Sequence, residues 1–141
     1  MRYWDTSALV PLLVKQAGSD LVRDWITEDP RVVTWALSSV ELCGAIERLC
    51  RTGLLDAGQR HELLRRVKRM ASDWGEIIEF QAVRRRAIQL LARHSLRAAD
   101  SLQLGAAWAA SEGQPDTLDF VCLDRNLSDA AEREGFNVFS W

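Results

Sequence analysis

Four acidic residues occupy positions at which their carboxylates could do chemistry. Asp5 follows a short aromatic stretch near the N-terminus, and Asp124 follows a second apolar stretch, so each ends a predicted buried strand and precedes a predicted helix. Glu41 and Asp100 lie near the starts of two other predicted helices. Because ligands bind at the carboxyl ends of the strands in open α/β sheets, we expect Asp5 and Asp124 to face one crevice.

Converging carboxylates without histidine or cysteine ligands suit a hard cation, Mg²⁺ or Mn²⁺ rather than Zn²⁺. Asp100 falls on the packed side of an alanine-rich helix, where a carboxylate needs a compensating cation, and the sequence offers no evident lysine or histidine for it. His61 and His94 lie in cationic helical segments and are expected at the surface. Such a metal site performs phosphoryl chemistry with a metal-activated water.

Each acid also has a purely structural explanation when it is taken alone. Asp5 or Thr6 could cap the helix that follows, and Ser38-Ser39-Val40-Glu41 matches a capping box. The helix dipole favours an acid such as Asp100 in a first turn. The residues by themselves leave both explanations open.

The elements that would position these acids alternate in the order β-α-α-β-α-α-β-α-α-β-α-β. The predicted strands are Arg2–Trp4, Arg31–Trp35, Gly75–Phe80, Leu118–Leu123 and Asn137–Phe139. The predicted helices are Thr6–Lys15, Ser19–Thr27, Ser38–Arg51, Asp56–Ala71, Ala82–Arg93, Leu96–Glu112 and Leu127–Glu134. Strands separated by helices imply a mostly parallel sheet covered on both faces. We therefore expect one domain, residues 1–141, with a three-layer α/β/α sandwich.

The composition narrows the class of protein. The chain has 141 residues, and its 18 lysines and arginines against 20 acidic residues give a formal net charge of −2. This balance excludes a strongly basic nucleic-acid-binding protein. Three cysteines without a CxxC pair fit a reducing compartment. With no visible signal peptide and no apolar stretch near the ~20 residues of a membrane helix, we expect a soluble cytoplasmic protein.

Four short motifs, in this order and at these separations, resemble those of the PIN-domain ribonucleases. They are Asp5–Leu9 after the first strand, the Ser-Ser-Val-Glu-Leu helix start that contains Glu41, Arg97–Leu104, and Cys122–Leu127. The resemblance extends from Tyr3 to Val138. Within that family, the short single-domain chain is most similar to the VapC toxins of bacterial toxin–antitoxin pairs.

The resemblance implies roles for individual residues. It makes Asp5, Asp100 and Asp124 ligands of Mg²⁺ or Mn²⁺, with Glu41 a ligand directly or through water. Thr6 or Ser7 would support Asp5 by a hydrogen bond, and Asn126 is a further candidate near Asp124. The implied activity is metal-dependent endonucleolytic cleavage of single-stranded or looped RNA.

The resemblance also implies partners besides RNA. Toxins of this kind are held inactive by a small VapB-type antitoxin and usually form homodimers. Since RNA must approach an acidic pocket, the rim should be basic, and the candidates are Arg48, Arg51 and Arg97. We expect the remaining arginine clusters to be mostly solvated helix faces: Arg65, Arg66, Arg69 and Arg84–Arg86.

Two other functions compete with this one. Asp5 could be a phosphoryl-accepting aspartate, as in haloacid-dehalogenase-like phosphatases, but Ser7 stands where those enzymes need a second aspartate. They also need a late lysine, and none follows Lys68. The stronger rival is a catalytically silent PIN-like module that only binds RNA or protein.

Overall fold

The computed structural model of the chain describes residues 1–141, and its elements follow the predicted order. The strands are β1 (Arg2–Trp4), β2 (Val32–Trp35), β3 (Gly75–Ile77), β4 (Asp119–Val121) and β5 (Asn137–Phe139). The helices are α1 (Thr6–Leu13), α2 (Ser19–Glu28), α3 (Ser38–Arg51), α4 (Ala57–Asp73), α5 (Phe80–Arg93), α6 (Ala98–Ala110) and α7 (Arg125–Arg133). A short 3₁₀ helix at Pro115–Thr117 was not predicted.

The five strands form one parallel sheet in the order β3-β2-β1-β4-β5, with β1 at its centre. Successive side chains of β1 point to opposite faces, as the pleat of a strand requires. Tyr3 packs into a core with α5, α6 and α7, whereas Trp4 packs into a second core with α1 to α4. The predicted α/β/α sandwich is therefore confirmed. No helix combines the length and apolar character needed to cross a bilayer.

In two places, the observed bounds differ from the predicted ones beside a side chain that makes a tertiary contact. The third strand stops at Ile77, and α5 begins at Phe80, where the aromatic ring packs against Trp35. The first helix stops at Leu13, and Arg66 of α4 donates hydrogen bonds to the carbonyl oxygens of Leu12 and Leu13 that the helix end leaves free. Arg66 was expected on a solvated face, and that expectation is wrong.

A buried carboxylate, Glu134, joins the end of α5 to the end of α7. Its side chain is 2% exposed and accepts hydrogen bonds from Arg86, Arg93 and His94. The guanidinium of Arg86 also lies over the indole of Trp108, 3.7 Å from the ring centroid. We call these four charged or titratable residues the Glu134 cluster: Arg86, Arg93, His94 and Glu134. The predicted surface positions of His94 and Arg86 are wrong, because each is needed to pair Glu134.

Helices α5 and α6 pack closely at Gly105. A Cβ atom at this position would lie 2.9 Å from the carbonyl oxygen of Val83 and 3.3 Å from the amide nitrogen of Ala87. Both neighbours are backbone atoms and cannot move without shifting α5. The absence of a side chain at Gly105 therefore sets the distance between the two helices.

We expect Gly105→Ala to lower the free energy of unfolding by about 1–3 kcal/mol, the usual cost of overpacking a core. Urea denaturation followed by circular dichroism measures this. Gly44→Ala is the matched control, because a Cβ there meets only the end of the Arg48 side chain at 3.6 Å. The control should lose no stability, since alanine is the better helix former. Equal losses in both variants would refute the packing explanation.

Candidate active site

The four predicted acids line one cavity of about 730 Å³ at the carboxyl end of the sheet. They come from four distant parts of the chain. Two follow the strands β1 and β4, and two lie in the helices α3 and α6. The acids are Asp5, Glu41, Asp100 and Asp124. All four residues that the sequence singled out as metal ligands thus line the same cavity.

Asp5 caps α1 and lines the cavity at the same time. Its Oδ2 accepts hydrogen bonds from the backbone N–H of Ser7, at 2.9 Å, and from the Ser7 hydroxyl. The same hydroxyl oxygen accepts from the backbone N–H groups of Leu123 and Asp124. Ser7 therefore ties the end of β1 to the end of β4. Capping and a functional role are not alternatives here, because both use the same carboxylate.

Asp124 repeats this arrangement at the start of α7. Its Oδ1 accepts from the backbone N–H of Leu127 at 2.8 Å, and its Oδ2 receives no hydrogen bond from the protein. Asn126 instead donates to the carbonyl oxygen of Ser95 and does not line the cavity. Of the two acceptor atoms of Asp124, one is used by the helix and the other is free for the cavity.

The predicted capping box of α3 is not formed. Leu37 is the capping residue of α3 and makes no side-chain hydrogen bond to it. The Ser38 hydroxyl lies 2.7 Å from the hydroxyl of Thr34 instead. Glu41 is consequently free of the helix end, and its Oε1 accepts from Nε2 of Gln103 at 3.1 Å.

The negative charges of these acids repel one another, which makes the carboxylates of Asp5, Glu41 and Asp100 harder to ionise in the folded protein. Burial raises the pKa of Asp5, and the charge of Asp100 adds to this effect against the opposing hydrogen bonds from Ser7. Burial likewise raises the pKa of Glu41, and the charges of Asp5 and Asp100 reinforce it. The pKa of Asp100 is raised by burial and then by the charge of Asp124. No lysine, arginine or histidine forms an ion pair with any of the four acids.

A family model of the PIN domain matches residues 2–133 of the chain. The chain belongs to the PIN-domain family. This PIN domain is 33% identical over 134 residues to Ribonuclease VapC35 of Mycobacterium tuberculosis, in the strains CDC 1551 / Oshkosh and H37Rv. The alignment covers 94% of this chain and 90% of that relative. It confirms the resemblance to VapC-type PIN domains.

Two solved structures share the fold of the PIN domain. FitAcB from Neisseria gonorrhoeae has a TM-score of 0.70 and 19% identity, covering 99% of this chain and 96% of that one. FitAB bound to the IR36 DNA fragment has a TM-score of 0.67 and 19% identity, covering 99% of this chain and 94% of the other. Likeness at this identity establishes the architecture of the chain.

The oxygen donors that line the cavity of the PIN domain suit a hard divalent cation rather than a softer metal such as Zn²⁺. The donors are carboxylate and hydroxyl oxygens, and the nearby Cys122 thiol has its pKa raised far above the usual range by burial. No three acidic, histidine or cysteine groups converge closely enough to enclose an ion by themselves. Mg²⁺ usually keeps several waters, through which carboxylates that are too far apart to enclose it can still bind it.

Two of the three predicted rim arginines line the cavity. Arg48 and Arg97 are among its lining residues, whereas Arg51 lies further along α3 and does not line it. A guanidinium group is well suited to bind phosphate, because its fork of donors matches two oxygens. The cavity of the PIN domain therefore combines an acidic interior with two basic side chains.

Sequence reasoning missed the buried Gln103. Its side chain contacts Glu41 and Thr6, both of which line the cavity. A signal was present, because Gln103 lies three residues after Asp100 and therefore shares its helix face. Of the two residues expected to support Asp5, Thr6 or Ser7, it is Ser7 that does so, whereas the Thr6 hydroxyl accepts from Gln103.

Proposed function

We propose that the chain is a divalent-metal-dependent endoribonuclease toxin of the VapC type, which hydrolyses phosphodiester bonds of RNA. The observation that carries this proposal is the cavity at the end of the sheet, which four carboxylates line without an ion-paired cation. The relationship to Ribonuclease VapC35 supports RNA as the substrate.

In this proposal, Asp5, Asp100 and Asp124 hold Mg²⁺ or Mn²⁺, and Glu41 binds it directly or through water. Bound there, the ion would act as a Lewis acid, activating water and neutralising charge that develops on the phosphate. Ser7 fixes the orientation of Asp5, and the backbone N–H of Leu127 fixes Asp124. Neither histidine lines the cavity, so the chain offers no imidazole as a general base near the reacting phosphate.

Arg48 and Arg97 take the role of phosphate-binding groups at the rim. An acidic cavity repels RNA, and guanidinium groups beside it offset that repulsion and hold the backbone. A VapB-type antitoxin would neutralise the enzyme by covering the same cavity, and a homodimer would be the active assembly. The three free cysteines suit action in the reducing cytoplasm.

The proposal is tested by incubating purified, antitoxin-free protein with a mixed RNA pool in Mg²⁺, in Mn²⁺ and in EDTA. We expect cleavage with either metal, none in EDTA, and a loss of more than about a hundredfold in Asp5→Asn. Residues that merely support metal ligands account for roughly 10- to 100-fold, so a direct ligand should cost more.

Asp116→Asn is the control, because Asp116 is exposed and lies outside the cavity. It should cleave like the wild type. Cleavage that survives in EDTA would refute the metal-dependent mechanism. A folded protein that binds RNA but never cuts it would instead favour the silent binding module.

A further inference from the structure

Gln103 lies where four elements meet behind the cavity. It belongs to α6 and is 1% exposed. Its side chain reaches Tyr3 of β1, Thr6 of α1, and Ser38 and Glu41 of α3. A buried carboxamide has two N–H groups and one oxygen to satisfy. The oxygen accepts from Tyr3, and three acceptors, in Thr6, Ser38 and Glu41, share the two N–H groups.

Counting donors and acceptors fixes the direction of the hydrogen bonds that link Thr34, Ser38 and Gln103. Thr34 donates its only hydroxyl proton to the carbonyl oxygen of Trp4, at 2.7 Å. Ser38 must therefore donate to Thr34, and its own oxygen is left to accept from Nε2 of Gln103, at 3.0 Å. The network runs from Gln103 through two hydroxyls into the backbone of the central strand.

The other end of the carboxamide is fixed as well. Its Oε1 accepts from the Tyr3 hydroxyl at 2.6 Å, and its Nε2 donates toward the carboxylate of Glu41 at 3.1 Å. A flipped amide would direct Oε1 at the Glu41 carboxylate, and two acceptors would then face each other. The amide orientation shown is the one that satisfies Glu41 in its ionised form.

We propose that Gln103 is a positioning residue of the active site, whose buried carboxamide orients the Glu41 carboxylate toward the cavity for metal binding. This inference rests on the proposed function, since it concerns the same site. Glu41 has three rotatable side-chain bonds, and the side chains that hydrogen-bond it are those of Gln103 and Thr6. Gln103 itself is held by Tyr3, Ser38 and Thr6, so it forms a rigid support for a flexible ligand.

The test is the affinity for Mn²⁺ measured by calorimetry on wild type, Gln103→Met and the matched control Gln81→Met. Methionine keeps the length of the side chain and removes its polar atoms. We expect roughly 10- to 100-fold weaker Mn²⁺ binding in Gln103→Met, the usual effect of removing a residue that supports a metal ligand. Gln81 is exposed on α5 and lies outside the cavity, so the same exchange there should leave Mn²⁺ binding within about threefold of the wild type.

A double-mutant cycle separates positioning from general damage. In a Glu41→Ala background, Gln103→Met should cause no further loss of Mn²⁺ affinity, because there is no carboxylate left to orient. Gln103→Asn provides a second variant in case methionine prevents folding; its amide is one methylene short of Glu41, and it should weaken Mn²⁺ binding as well.

Three results would overturn the proposal, and they differ from one another. Wild-type Mn²⁺ affinity in Gln103→Met or in folded Gln103→Asn would refute the role of Gln103 while leaving the proposed function intact. An additional loss of the same size in the Glu41→Ala background would show that Gln103 acts on the fold in general. A wild-type protein that binds no Mn²⁺ would refute the metal-dependent function together with this role.

Discussion

Replacing Asp100 by asparagine should abolish the stabilisation of the protein by Mn²⁺ and at the same time raise the stability of the metal-free protein. Burial and the charge of Asp124 raise the pKa of Asp100, so its ionised form costs free energy in the folded state at neutral pH. A neutral amide of the same shape removes that cost. The wild type should gain about 2.7 kcal/mol when Mn²⁺ is present at 100 times its dissociation constant, and the variant should gain almost nothing.

The pH dependence of the metal-free protein has a definite sign. Because the pKa of Asp100 is raised on folding, the folded protein holds this proton where the unfolded chain, with a pKa near 3.9, has released it. The associated stability is complete below about pH 3.9 and is lost as the pH rises through the folded-state pKa. As the pH rises from about 3.9 to the folded-state pKa of Asp100, the free energy of unfolding should fall further in the wild type than in Asp100→Asn.

Both effects can be read from thermal melts at several pH values, with Mn²⁺ or with EDTA. Asp116→Asn is a suitable control, because it removes one exposed carboxylate outside the cavity and should leave both the metal response and the pH profile as in the wild type. The account of Asp100 would be wrong if Mn²⁺ stabilised Asp100→Asn as strongly as it stabilises the wild type.

Glu134→Ala should destabilise the protein by about 3–5 kcal/mol, the usual cost of leaving a buried charge without its ion-pair partner. The carboxylate is 2% exposed and is shared by Arg86, Arg93 and His94. Nε of Arg86 and Nδ1 of His94 are already buried without partners, so the cluster has no spare acceptor to replace Glu134. Because domains of this size are stable by only about 5–15 kcal/mol, the variant would retain little stability.

Urea denaturation of Glu134→Ala beside Glu132→Ala tests this. Glu132 is exposed on the same helix, and its replacement should change the free energy of unfolding by less than about 0.5 kcal/mol. Adding Arg86→Met to Glu134→Ala should restore part of the loss, because one stranded charge is removed with its partner. Similar small changes in both single variants would mean that the Glu134 cluster contributes no net stability.

Local patterns were sufficient to predict the sheet, the order of its elements and the residues that meet at its edge. Asp5 and Asp124 were recognisable because each ends an apolar strand, and the parallel arrangement of the strands then brings them together. The motifs around Asp100 and Glu41 completed the set. These features depend on neighbours in the sequence and on one general rule of α/β sheets.

The features that were missed depend on partners far apart in the chain. His94 was expected at the surface because its neighbours are cationic, but its partner Glu134 lies 40 residues away. The capping box of Glu41 was a sound local pattern, yet the Ser38 hydroxyl is used by Thr34 and Gln103 inside the core. A sequence pattern can show that a polar side chain needs a partner, and only the packed structure shows which one it has.

The position of β1 has a consequence for how the protein folds. This strand lies between β2 and β4, and β4 begins only at Asp119. Pairing between strands so distant in sequence is slow to form. The cavity depends on this pairing, because it brings Asp5 and Asp124 to the same edge of the sheet. The proposed nuclease therefore acquires its site late in folding, once β1 and β4 have paired.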